Sequence, residues 1–228
     1  MHDRFLTRLE KLRRLFKKTG ADSMLVTSFT NVTYLTGFTG DDSYLLMTKG
    51  GECILSDSRY TTQLEEECPG LELALRSTGT SLVQMVAKSA KKRQLSSLAI
   101  EADTLTLGIY NALSKQLTKT QLCPTSGLVE SLREIKDRHE IDEIRDSVRL
   151  AQKTFAVIRA GLHGGQTEKW IAAEIEHQIR LFGGKGCSFA PIVAVGPRAA
   201  LPHAVPTDRR IEESDFVLID WGAQATLY

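Results

Sequence analysis

The sequence contains few cysteines and no excess of charge of either sign. Four cysteines occur among its 228 residues, with no Cys-x-x-Cys pair: Cys53, Cys68, Cys123 and Cys187. Scattered cysteines without clustered histidines favour reduced thiols in a cytoplasmic protein over disulfides or a zinc knuckle. Lysine and arginine number 29 against 28 aspartates and glutamates, which leaves a net charge of +1. The composition therefore gives no support for nucleic acid or an anionic membrane as the main partner.

The sequence also lacks a long apolar run. No stretch approaches the roughly 20 apolar residues that a membrane-spanning helix requires. The basic N-terminal segment has neither the apolar core nor the cleavage site of a signal peptide. A hydrophobic content of 42% and a charged content of 25% are ordinary for a globular protein. We therefore expect a soluble, cytoplasmic protein of one large domain, or one domain and part of another.

Strands and helices alternate over the first half of the chain. The opening segment ends near Gly20 and is expected to be an amphipathic helix, with one face formed by Phe5, Leu6, Leu9, Leu12, Leu15 and Phe16. Lys49-Gly50-Gly51 separates two apolar runs and predicts a hairpin. The predicted strands are 23–27, 44–48, 52–56, 71–76, 97–101 and 121–123, and the further predicted helices are 59–67, 81–92 and 107–117. This alternation indicates an α/β sandwich.

The pattern changes in the second half. Nearly continuous helix is predicted from Val129 to Leu162, and a second helix is predicted after the N-cap Thr167, with Glu168 in its first turn. The expected buried positions of these two helices are Ile141, Ile144, Val148, Ala151, Phe155, Ile158, Trp170, Ile171, Ile175, Ile179 and Phe182. Pro124, Ser126 and Gly127 interrupt the pattern before them. We therefore expect domains at 1–127 and 128–228.

The last 42 or so residues carry the strongest functional signal. They contain one imidazole, His203, in the segment L-P-H-A-V-P, and one carboxylate, Asp220, seventeen positions later. Asp220 closes the apolar run F-V-L-I, which predicts a buried strand. A carboxylate at the end of such a strand is expected to be poorly solvated and to need a cation, a donor network or a proton.

These motifs resemble the creatinase/aminopeptidase P family, the pita-bread metallopeptidases. The first half matches through T-G-A-D-S-M-L-V-T, N-V-T-Y-L-T-G-F-T-G and L-S-D-S-R-Y, and the second through S-L-R-E-I-K-D-R-H-E-I-D-E-I, L-P-H-A-V-P and D-W-G-A. The resemblance covers essentially the whole chain. It implies a creatinase-like N-terminal domain, a mixed sheet flanked by helices, followed by an incomplete α+β pita-bread domain.

The family resemblance also implies a site. In such enzymes two aspartates, one histidine and two glutamates hold two divalent ions, and oxygen-rich sites of this kind suit manganese, cobalt or zinc. By resemblance Asp220 is the first of these ligands, and the others are expected beyond Tyr228. His203 matches the histidine that binds substrate and stabilises the tetrahedral intermediate without binding metal. Phe189 and Ile192 are candidates for lining the substrate pocket.

The function implied is that of a cytoplasmic, homodimeric Xaa-Pro peptidase of the aminopeptidase P or prolidase type, acting on proline-containing peptides. With one ligand of five present, the 228-residue chain itself is expected to be inactive and not to retain metal. Two alternatives stay open. One is a creatinase-like hydrolase that uses His203 as a base without metal. The other is a non-catalytic pita-bread module that binds proteins, as in a histone-chaperone subunit.

Simpler structural roles are open for each of these residues. Asp220 also suits a turn former after a strand, and Phe189 and Ile192 also suit ordinary core packing. Arg198 departs from the asparagine that the family more often has there, which affects expected substrate contacts. Two further groups are expected to be structural, with roles at a neighbouring subunit as the alternative: Asp57, Arg59 and Tyr60 at a strand end, and Asn31, Tyr34 and Gly37 in a turn.

Overall fold

A computed structural model describes residues 3–228 and divides the chain into two compact units. The first ends at Ile135, and the second spans Lys136–Tyr228. No helix within the described residues combines the length and apolar character that crossing a membrane requires.

The first unit is a mixed sheet covered by helices. Its strands within the described residues are β1 (Ser23–Val26), β2 (Ser43–Thr48), β3 (Gly51–Asp57), β4 (Glu72–Arg76), β5 (Ser97–Glu101) and β6 (Gln121–Thr125). Their order in the sheet is β4-β3-β2-β1-β5-β6. The pairs β1/β2 and β2/β3 are antiparallel, and the other neighbours are parallel. The predicted hairpin is confirmed, with Thr48 paired to Gly51.

Helices lie on both faces of this sheet. They are α1 (Asp3–Lys17), α2 (Phe29–Thr36), α3 (Thr61–Glu67), α4 (Leu82–Lys92), α5 (Leu107–Gln116) and α6 (Leu128–Glu134). One cluster joins α1, α2, α3 and α6 to the sheet through side chains such as Leu12, Leu35, Leu64 and Val129. A second joins α4 and α5 to the opposite face. The central strand β1 is buried along its whole length because it is covered from both sides. The fold class predicted for this half is confirmed.

Helix α2 was not predicted. Its sequence, F-T-N-V-T-Y-L-T, is rich in residues of low helix propensity, yet Asn31 to Thr36 are all buried. Tertiary contacts hold it: the Asn31 amide donates to Glu101 at 2.7 Å and to Glu130 at 2.7 Å. Gly37 ends the helix at φ +85°, where an added Cβ would lie 2.7 Å from the Phe5 ring. The turn predicted for Asn31, Tyr34 and Gly37 is therefore wrong for Asn31 and Tyr34, which lie in the helix, and right only for Gly37, where the chain turns.

The long helix predicted for Val129 to Leu162 is broken, which is a second correction. Helix α6 stops at Glu134, and α7 (Arg138–Gly161) begins after the N-cap Asp137. Asp137 and Glu140 form a capping box, with each side chain accepting the other's backbone N–H. Because α6 packs against the first hydrophobic cluster, the division between units falls at residue 135, eight residues beyond the expected boundary at 127.

The second unit packs two helices against short strands. The remaining elements are α8 (Glu168–Leu181), β7 (Gly186–Cys187), β8 (Ile192–Val195), β9 (Val217–Asp220) and β10 (Ala223–Gln224). β8 pairs with β9, and β7 pairs with β10, both antiparallel. Ile158, Ile171, Ile175 and Ile179 form the centre of the core.

Several of the positions expected to be buried in these helices are exposed. Ile141 is 40% exposed, Val148 50%, Trp170 50% and Phe182 42%. In α7 the buried residues are Glu140, Ser147, Leu150, Thr154 and Ile158, so Ile158 alone of the predicted α7 stripe is fully buried. The predicted stripe was therefore rotated around the helix, because apolar residues occur on more than one face of α7 and periodicity alone did not select the buried one.

The L-S-D-S-R-Y motif forms a polar network at the end of β3. The Asp57 carboxylate accepts the Arg59 backbone N–H at 2.9 Å, Arg59 Nε at 2.7 Å and Arg76 Nε at 2.8 Å. The Tyr60 hydroxyl donates to Asp41. These contacts agree with a structural role at the strand end. The Arg59 backbone hydrogen bond, followed by the two guanidinium groups, lowers the pKa of Asp57 from 3.8 to about 2.

Asp57→Asn is expected to lower the stability of the first unit at neutral pH. Because the folded-state pKa is depressed, the stabilisation is fully present above the unfolded value of 3.8 and disappears as the pH falls towards about 2. Urea unfolding followed by circular dichroism over this range measures the effect. The stability difference from the parent should shrink with falling pH, whereas Glu66→Gln on the exposed face of α3 should differ little throughout. An Asp57→Asn difference that is constant with pH would contradict the assignment.

Candidate functional site

The β8–β9 hairpin places Ile192 and Asp220 opposite each other. The two residues are partners in the strand register, and the pairing continues from Val193 with Ile219 to Val195 with Val217. β8 is buried from Val193 to Val195, which fixes the hairpin on the core of the unit. Ile192 itself is half-buried and Asp220 is exposed. Two of the predicted site residues are thus brought together at one end of the hairpin.

The prediction that Asp220 is poorly solvated is wrong. Its strand, β9, is half-buried rather than buried, and the carboxylate at its end is exposed. Desolvation therefore does not require a counter-charge here. Asp220 remains available as an oxygen donor from a fixed strand end, and its assignment as a metal ligand stays a prediction.

The turn after Asp220 is tightly packed. Trp221 stacks on Phe155 with ring centroids 4.7 Å apart and planes 19° apart. Ser188 donates its backbone N–H to the Gly222 carbonyl at 2.9 Å. A Cβ added at Gly222 would lie 2.1 Å from the Ser188 hydroxyl and 3.2 Å from the Phe189 ring, so these segments need a glycine here. The half-exposed Phe189 ring therefore lies beside the turn that follows Asp220.

His203 lies on a separate loop, Leu201–Pro206. This loop follows a short 3-10 helix, Gly196–Ala200, which begins at the end of β8. The His203 ring is exposed. Within residues 3–228, no hydrogen bond or ion pair joins it to Asp220. The structure thus pairs Ile192 with Asp220 and places Phe189 beside the turn after Asp220, while His203 lies on its own loop.

A buried carboxylate, Glu168, connects the segments around this loop. Glu168 is 0% exposed and lies at the start of α8. Its Oε1 accepts the Val195 backbone N–H at 2.9 Å, while its Oε2 accepts the Thr207 backbone N–H at 2.8 Å and the Thr207 hydroxyl at 2.7 Å. Sequence reasoning missed this role, because an acid in the first turn of a helix is also the ordinary signal of a solvated charge.

Arg198 completes the network. Its Nε donates to Glu168 Oε1 at 3.0 Å and to Oε2 at 3.2 Å, and its Nη2 donates to the Val205 carbonyl at 2.8 Å. The arginine that departs from the expected asparagine is therefore the partner of the buried acid. Burial by itself raises the pKa of Glu168, but the hydrogen bonds it accepts, those from Thr207 foremost, outweigh burial and hold that pKa below its ordinary value.

The two units match two parts of one known family. Residues 8–135 match the creatinase/prolidase N-terminal domain, more than half of the chain. Residues 142–228 match the metallopeptidase family M24. The chain belongs to the creatinase/prolidase family. The first unit is its mixed-sheet N-terminal domain, and the second is part of its pita-bread domain.

Several relatives of this chain are named as peptidases. It is 37% identical to the uncharacterized peptidase YqhT of Bacillus subtilis, over 95% of this chain and 61% of that protein. It is 29% identical to an Xaa-Pro dipeptidase of Pyrococcus furiosus, over 95% of this chain and 60% of that protein. The structure of an Xaa-Pro dipeptidase from Bacillus anthracis superposes with a TM-score of 0.90 at 34% identity, covering 96% of this chain and 61% of the other. The chain thus spans about three fifths of the length of these relatives.

The metal centre implied by the family is not formed by the described residues alone. Between residues 3 and 228, no group of three or more His, Cys, Asp or Glu side chains is arranged to hold a metal ion. Asp220 supplies one carboxylate, whereas hard divalent ions take several oxygen or nitrogen ligands. The donor set present here does not fit a two-metal centre.

Glu168→Ala is expected to destabilise the second unit by about 3–5 kcal/mol, because it leaves the Arg198 charge and the backbone N–H groups of Val195 and Thr207 without their acceptor. Both tryptophans of the chain, Trp170 and Trp221, lie in this unit, so fluorescence-monitored urea unfolding reports on it directly. Glu213→Ala, at an exposed position, serves as the control and should change stability by less than about 0.5 kcal/mol. Equal effects of the two substitutions would contradict the assigned role of Glu168.

Proposed function

We propose that this chain contributes to an Xaa-Pro peptidase of the prolidase or aminopeptidase P type, which hydrolyses the peptide bond before proline. The observation that carries the proposal is the likeness to Xaa-Pro dipeptidases over both units, combined with the retained L-P-H-A-V-P and D-W-G-A segments. The bond before proline is a tertiary amide, which has no N–H and only a weak trans preference. A dedicated site for this bond is therefore chemically reasonable.

In this proposal His203 contacts the substrate. An exposed imidazole on a short loop is free to donate a hydrogen bond to a carbonyl that gains negative charge, or to accept one from the peptide. Pro202 and Pro206 flank the residue and restrict the backbone, which lowers the entropy lost when the ring is positioned.

Asp220 contributes one oxygen ligand to a divalent metal centre of manganese, cobalt or zinc in this proposal. Its exposed position at the end of a paired strand leaves the carboxylate accessible to an ion. Phe189 and Ile192 form the apolar side of the same end of the hairpin, and we assign them to contact with the proline ring. An apolar wall beside a few polar groups is the usual composition of a small-molecule site.

The protein is further proposed to act as a homodimer in the cytoplasm. The four cysteines are free thiols in the structure, as suits a reducing compartment. Dimerisation rests on the family resemblance of the N-terminal domain.

Turnover of Xaa-Pro dipeptides and longer Xaa-Pro peptides by the complete gene product tests the proposal. His203→Gln should lower kcat by about 10²–10⁴-fold, as expected when a group that acts on the reacting amide is removed. His177→Gln, at an exposed position on α8, is the matched control and should leave kcat unchanged. Metal-independent turnover would favour the creatinase-like alternative, and absence of turnover with tight binding of a protein would favour the non-catalytic module.

The metal assignment has a separate test. Calorimetric titration with Mn²⁺ should show no stoichiometric binding to residues 1–228, because a single carboxylate holds a divalent ion only weakly. The complete gene product should bind the ion, and Asp220→Asn should weaken that binding by more than tenfold. Asp146→Asn, on the exposed face of α7, should have no effect. Unchanged Mn²⁺ affinity in Asp220→Asn would remove Asp220 from the site.

A further inference from the structure

The loop that carries His203 is held at its C-terminal end by Glu168. Thr207, the first residue after the loop, donates both its backbone N–H and its hydroxyl to Glu168 Oε2, at 2.8 Å and 2.7 Å. The Thr207 carbonyl accepts the Lys169 backbone N–H at 3.1 Å. These three bonds join the end of the loop to the start of α8.

Arg198 holds the N-terminal end of the same loop. Its carbonyl accepts the Leu201 backbone N–H at 3.0 Å, and its guanidinium is fixed on both oxygens of Glu168. The same guanidinium reaches across the loop to the Val205 carbonyl at 2.8 Å. The backbone is thus held on both sides of His203 by one ion pair.

The anchor itself belongs to rigid elements. The Glu168 carboxylate is fully buried, and it also accepts the backbone N–H of Val195 at the end of β8. The Glu168 backbone N–H donates to the Arg209 carbonyl at 3.1 Å. Within the loop, Ala204 is buried, whereas the side chains of His203 and Val205 face outwards. The network therefore fixes the backbone and leaves the imidazole free.

We propose that Glu168 and Arg198 are positioning residues for His203, which hold the backbone of its loop in one conformation so that the ring meets the substrate without a search. The proposal that the ring meets a substrate rests on the peptidase function above. The role of the Glu168–Arg198 pair in ordering the loop is independent of that function. Arginine is needed because its planar fork serves two carboxylate oxygens and a carbonyl at once, which the single ammonium of lysine cannot reproduce.

Backbone ¹⁵N relaxation of His203, Ala204 and Val205 measures this order directly. The parent should give order parameters of about 0.85, typical of rigid backbone, and Arg198→Lys should lower them below about 0.6. Residues 171–179 of α8 should keep their values in both proteins. Thr207→Val, which removes one hydroxyl and leaves the ion pair intact, should give a smaller decrease in the order parameters of the loop. If Arg198→Lys does not fold, the order parameters of Thr207→Val test the proposal in its place.

The matched control is Arg149→Lys. Arg149 pairs with Asp146 on the surface of α7, where both side chains are more than 60% exposed. The substitution therefore takes an arginine away from a carboxylate at a site that has no contact with the His203 loop. It should leave the loop order parameters unchanged. The proposal is overturned if Arg198→Lys also leaves them unchanged, or if it loosens α8 as much as the loop, because the pair would then act only on the stability of the unit.

Kinetics of the complete gene product separate this inference from the proposed function. If Xaa-Pro peptides are cleaved, Arg198→Lys should lower kcat per folded protein by at least tenfold with KM within twofold, and Arg149→Lys should alter neither. A change in KM alone would contradict positioning of His203. If no Xaa-Pro peptide is cleaved by the parent, the peptidase proposal fails, while the relaxation data still decide whether the pair orders the loop.

Discussion

The second unit depends on one buried carboxylate. Glu168 has no exposed surface, yet its pKa is held below the ordinary value by hydrogen bonds from a loop end at Thr207, a strand end at Val195 and the guanidinium of Arg198. An unpaired buried charge would cost several kcal/mol, so these donors and the acid require one another. As a result, α8, β8 and the His203 loop are fixed as a set. The hydrophobic core alone, which is non-directional, would not determine where that loop lies.

The first unit uses the same device in a different setting. Glu101, at the end of β5, is buried and accepts the backbone N–H groups of Thr27 and Ser28 and the amide of Asn31. The carboxylate thereby ties the end of β1 to the start of α2, a helix whose residues have little intrinsic tendency to be helical. In both units, a buried acid at the end of a secondary-structure element organises the segments that the apolar core leaves unspecified.

Secondary structure was predicted correctly where the pattern of apolar residues is compatible with only one type of element. The six strands of the first sheet were all located, because short apolar runs bounded by glycine or polar residues have few alternatives. Helix α2 was missed because its stability comes from contacts with Glu101 and Glu130, which lie 70 or more positions away in sequence. The break before α7 had a local signal, the capping-box pair Asp137 and Glu140, which the long apolar periodicity obscured. At the site, His203 and Asp220 followed from motif resemblance. Glu168 could not be found, because its burial depends on residues 30 and 39 positions later.

In the proposed site, His203 and Asp220 face the same substrate, one as a hydrogen-bonding group and the other as a metal ligand. Paramagnetic broadening by Mn²⁺ tests this most directly, because the effect falls steeply with distance from the ion. In the complete gene product, Mn²⁺ at substoichiometric concentration should broaden the imidazole signals of His203 and leave those of His139 and His177 sharp, and Asp220→Asn should abolish the broadening. Sharp His203 signals at saturating Mn²⁺ would contradict the claim.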